Sequence, residues 1–167
     1  MQKKLLYYSL FGIVFVFITG TLLHFIYEWS GFNSFVGAIA PVNESTWEHM
    51  KMLFFPMLFF TIWETVILKK EFPGILCGNV AGILSGTFLI PIIFYTYTGI
   101  CGYHILFMDI LTFLISVVLA FAVSFYVTKK EGNRTICLIL SGIVFLLLIC
   151  FLIFTFNPPD IGLFKIP

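Results

Sequence analysis

LLYYSLFGIVFVFITGTLLHFIY, residues 5–27, decides the kind of protein this is. It contains no Asp, Glu, Lys or Arg, and it exceeds the about 20 apolar residues that carry a helix across a bilayer. Lys3 and Lys4 precede it as they would in a signal peptide. The run is too long for one, however, and it has no A-x-A cleavage site, so it reads as a membrane span. Working outward, comparable apolar runs predict further spans over residues 46–69, 73–97, 103–128 and 136–156. The expected fold is all-α: a polytopic membrane helix bundle of about five transmembrane helices, forming one membrane-embedded domain over residues 1–167.

Composition agrees. Sixty per cent of the chain is hydrophobic, 22 residues are Phe, the mean hydropathy is +1.09, and only 10% is charged. A soluble domain carries about 25% charged residues, so this chain has too few to cover a water-facing surface. With a net charge of +1 and no basic stripe, no nucleic-acid partner is expected. Cys77, Cys101, Cys137 and Cys150 show no CxxC spacing and read as small packing residues. No Walker, GxGxxG, HExxH or GxSxG motif occurs.

The boundaries carry local signals. Ser45 stands three residues before Glu48, the spacing of a capping box, and Pro56 predicts a kink in the second span. Pro73 suits the first turn of the third span. The connector from Trp29 to Pro41, which contains GFNSFVGAIAP, is expected to dip into the membrane interface. Gly78, Gly82 and Gly86 recur every four residues, a pattern that lets helices approach closely. It packs the bundle or, alternatively, offers a face to a second copy or a partner membrane subunit. No internal repeat is visible.

Lys3, Lys4, Lys69, Lys70, Lys129, Lys130 and Arg134 fall at alternate ends of the spans. The positive-inside rule makes that side cytoplasmic, which puts the N-terminus inside and the C-terminus outside. Tyr27, Trp29, Trp47, Tyr95, Tyr97 and Tyr103 mark the opposite boundary as an aromatic belt. Glu71 and Glu131 read as ordinary loop charges on the inner side.

The remaining polar residues gather at the outer side: His24, Glu28, Asn43, Glu44, Glu48, His49, Lys51, His104 and Asp109. A charge at the bilayer centre costs at least about 2.5 kcal/mol, so such groups need partners or water. His24 and Glu28 are four apart and share a helical face, and the pair suits a divalent metal such as zinc. His24, Glu28, His49 and His104 are the metal-ligand candidates. Glu44, Glu48 and Lys51 are expected on one helical face, with Lys51 neutralising an acid. His104 and Asp109, five apart on one helix, would diverge by about 140°, and Asp109 would look to Lys51, His24 or His49 instead. Glu64, nearer the inner side, is expected to snorkel toward Lys69 and Lys70, or to act as a proton or ion relay.

The segments HFIYEWSG (24–31) and APVNESTWEHMKMLFFP (40–56), with the tail NPPDIGLFKIP (157–167), resemble a family of small bacterial multi-pass membrane proteins of unknown function. The resemblance implies a bacterial cytoplasmic membrane and an importance of these outer residues, and brings no activity. Three readings stand side by side. One is a non-catalytic membrane protein. Another is a small transporter or accessory subunit using the outer cluster as an entry site. The third is a membrane-embedded metal-dependent hydrolase.

Overall fold

The structure, a computed structural model, describes residues 2–130 and 133–167; Glu131 lies outside the described residues. These hold no strand. They form α1 (Gln2–Trp29), the single turn α2 (Ser34–Gly37), α3 (Thr46–Leu68), α4 (Ile75–Cys101), α5 (Leu106–Lys129), α6 (Arg134–Phe154) and a closing 3-10 turn over Gly162–Phe164. Five of the helices are long and apolar enough to cross a membrane, as expected of a multi-pass membrane protein. Gly12 of α1 lies against Phe60 of α3 and Gly20 against Met52, so these two helices run antiparallel, and the short connections after α3 make the later long helices alternate too. The end where α1 finishes and α3 begins is the distal end; Lys4 and Glu71 form an ion pair at the proximal one.

α3 is the hub. Lys51, Phe54, Met50, Leu53, Met57 and Glu48 are all fully buried on it, whereas α6 buries only Val144, Leu147 and Phe151. Phe151 reaches the hub by packing its ring 4.6 Å from Trp47 and 5.0 Å from Phe54. The last residues fold back onto the same place, with Phe164 centred 4.8 Å from Trp47.

Two close approaches set the helix spacing. Gly78, Gly82 and Gly86 lie against α5, where a Cβ would collide with Ser124, Ala120 and Ser116 respectively. The small-residue face is therefore occupied inside the chain. Gly20 of α1 lies against the backbone carbonyl of Met52. Pro56 sits inside α3, and its missing N–H deprives that carbonyl, four residues back, of its helical donor. Gly20 thus fits where α3 has a carbonyl to spare.

Three boundaries differ from expectation. Pro73 falls in the turn before α4, and the helix continues beyond Tyr97 to Cys101, where Gly102 closes it at φ +81°. α5 starts at Leu106, so His104 stands in the preceding loop.

Candidate functional site

At the distal end the expected cluster separates into three groups. The most buried is built around Lys51, whose Nζ donates to Glu48 Oε2 at 2.6 Å, to Gly37 O at 3.1 Å and to Ala40 O at 3.4 Å. An ammonium has three donors, and all are used. Glu48 is also engaged, with Val42 N–H donating to Oε2 at 3.0 Å, and Thr155 Oγ1, whose hydroxyl donates to Phe151 O at 2.6 Å, lies 3.4 Å from Oε1. Half of the expected capping box forms: Ser45 Oγ accepts from Glu48 N–H at 3.4 Å. The reciprocal bond does not, because the Glu48 carboxylate turns to Lys51 and Val42, and Asn43 Oδ1 accepts from Ser45 N–H instead, at 2.9 Å.

Glu44 does not share a helical face with Glu48 and Lys51. It precedes Thr46, where α3 begins, and turns to the histidines. Its Oε1 lies 3.6 Å from His24 Nε2 and its Oε2 lies 3.3 Å from His49 Nε2. The two imidazoles stack, with centroids 5.4 Å apart and planes 26° apart. His49 Nδ1 sits 3.0 Å from Ser45 O, and His24 Nδ1 is buried with no hydrogen-bond partner. The nearest ligand atoms of His24, Glu44 and His49 all fall within 4.8 Å of one another. Glu28, expected beside His24, is exposed.

The third group corrects the reading of Asp109. Because His104 is in the loop rather than on α5, the helical divergence does not apply, and His104 Nδ1 comes within 3.2 Å of Asp109 Oδ2. Tyr97 of α4 donates its hydroxyl to the other carboxylate oxygen. Asp109 thus takes its partners from α4 and the loop, not from Lys51, His24 or His49. His104 is likewise separate from the His24–Glu44–His49 group.

Toward the proximal end, Glu64 does not reach for Lys69 or Lys70. It is buried on α3 and accepts from Asn79 Nδ2 at 2.8 Å, while Ser124 Oγ donates to Asn79 Oδ1. This chain links α3, α4 and α5. Asn79 escaped the sequence reading although it is the one asparagine inside an expected span, and an amide in a span commonly bonds across helices.

The two best-formed clefts are apolar. One of about 310 Å³ lies between α1 and α3 along Phe15, Leu22, Phe55 and Phe59. Another of about 340 Å³ is lined by Tyr7, Tyr8, Phe11 and Trp63. Neither is lined by Asp, Glu, His or Lys.

This constellation defines a helical bundle suited to a membrane, with its polar groups held in small internal sets. The chain matches the family of unknown function DUF6512 over residues 1–166 and belongs to it. No curated protein and no solved structure matches the chain.

Proposed function

We propose that the chain is a non-catalytic multi-pass protein of the bacterial cytoplasmic membrane, a structural or accessory subunit with its N-terminus inside and its C-terminus outside. The lysine and arginine distribution supports the orientation. The exposed aromatics Trp29, Phe32 and Phe35 suit a connector lying in the outer interface.

The observation that carries the reading is the closure of the acids within the bundle. Buried Glu48 pairs with Lys51 and buried Glu64 with Asn79, while partly exposed Asp109 takes Tyr97 and His104 as partners. A transporter needs charged groups free to exchange their partners for a solute or proton. The two clefts described above are apolar and hold no such group. Of the acids that could serve a hydrolase as base, Glu48 and Asp109 are engaged within the chain, whereas Glu28 is exposed. The glycine face is spent on α5, so a partner subunit or second copy would have to use another surface.

The test is proton flux in vesicles reconstituted with the full chain and loaded with a pH-sensitive dye. The expected rate equals that of protein-free vesicles for both the natural chain and Glu64→Gln. A flux that vanishes in Glu64→Gln would replace this reading with the relay.

A further inference from the structure

We propose that His24, Glu44 and His49 form a binding site for a divalent ion of the zinc type, and that the ion ties together the end of α1, the connector and the start of α3. The proposal goes beyond the structural reading above and does not depend on it.

Geometry is the first argument. A tetrahedral zinc ion holds nitrogen and oxygen ligands at about 2.0–2.2 Å, which places neighbouring ligand atoms about 3.3–3.6 Å apart. Glu44 stands 3.3 Å from His49 Nε2 and 3.6 Å from His24 Nε2. The second separation is too long for a hydrogen bond. One ligand atom from each of the three side chains lies within 4.8 Å of the other two.

Hydrogen-bond geometry is the second. Ser45 O can only accept, so His49 Nδ1 donates to it at 3.0 Å and Nε2 is the atom that faces Glu44. His24 Nε2 faces the same carboxylate from the other side, with the two rings stacked 5.4 Å apart. One divalent ion would take one ligand atom from each of the three side chains. The Ser45 carbonyl meanwhile orients His49, as the outer partners of metal-bound histidines do.

Access and selectivity complete the case. The side chains of His24, His49 and Glu44 are 26%, 33% and 62% exposed, which leaves an entry path and room for water as a fourth ligand. Two imidazoles with one carboxylate suit zinc, whereas calcium and magnesium prefer all-oxygen sites.

The experiment is calorimetric titration of zinc chloride into the purified, chelator-stripped full chain in detergent micelles, with cobalt absorption reporting the coordination geometry. The expected result is one saturable site per chain and a tetrahedral cobalt spectrum. Losing an outer partner of a metal ligand costs about 10–100-fold in affinity, so His24→Ala, His49→Ala and Glu44→Gln should each weaken binding at least tenfold. His104→Ala, in the separate Asp109 group, should leave binding unchanged. Glu44→Gln, on a mostly exposed side chain, keeps the test valid if a histidine variant misfolds. Zinc should also raise the melting temperature of the natural chain, because it binds the folded state. No saturable binding, or equal binding by folded Glu44→Gln, would overturn the site. Neither result bears on proton flux, so this proposal and the structural one fail separately.

Discussion

Lys51 shows how a charge is kept inside this bundle. Its side chain is completely buried, yet every donor has a partner. Removing one member of such a pair leaves the other charge stranded, at about 3–5 kcal/mol, whereas replacing both by apolar residues is often nearly neutral. Lys51→Met is therefore expected to destabilise the protein by about 3–5 kcal/mol, and Glu48→Leu with Lys51→Met to recover most of that loss. Unfolding in mixed micelles followed by circular dichroism measures both; additive losses would mean that the pair does not act as a unit. The neutralisation of an acid by Lys51 was legible from their spacing of three. The further partners of Lys51, Gly37 and Ala40, and the Thr155 contact of Glu48 were not, because backbone carbonyls leave no trace in a residue pattern and Thr155 is remote in the chain. Glu44 misled for a related reason: counting helical faces presumes where the helix starts, and α3 starts two residues after it. The same error, with the start of α5, hid the contact between His104 and Asp109.

Among the elements, α4 and α5 pack most closely. Their contact rests on glycines that let α4 meet the α5 backbone. A side chain at Gly82 would run into Ala120 O and the Met57 and Ser124 side chains, so Gly82→Leu should force the helices apart at about 1–3 kcal/mol. The same circular dichroism measurement checks it, with Gly99→Leu as a control where a Cβ meets nothing. An unchanged Gly82→Leu would mean that the two helices are not held at this distance. The long helices were legible almost to their ends, since about 20 uncharged residues leave a bilayer-sized stretch no alternative. The glycine spacing showed that a close approach occurs but not with which helix, because a period of four residues names a face and not its neighbour. Asn79 was passed over because a lone amide has no spacing at all.

For the whole molecule, the alternation of lysines predicts that both the N-terminus and the 129–134 turn face the cytoplasm. A phosphatase that works only outside the cytoplasm should be active when fused after Pro167 and inactive when inserted in that turn. The opposite pattern would invert the proposed topology. Five spans followed from the sequence alone, but the sorting of the polar residues into three separate groups did not. Which of them meet depends on the rotation of each helix about its own axis, and helices apolar all round carry little record of that rotation.

The contact between Glu48 and Thr155 spans 107 positions of the chain, and that gives assembly an order in time. At about 5–20 residues per second, α3 is made on the order of ten seconds before Thr155 exists. During that interval Glu48 must rely on what is already synthesised: Lys51 three residues away and the connector just before it. The buried pair can thus enter the nascent bundle already neutral, and the returning segment, with Phe164 against Trp47, covers the hub only after all five long helices have been made.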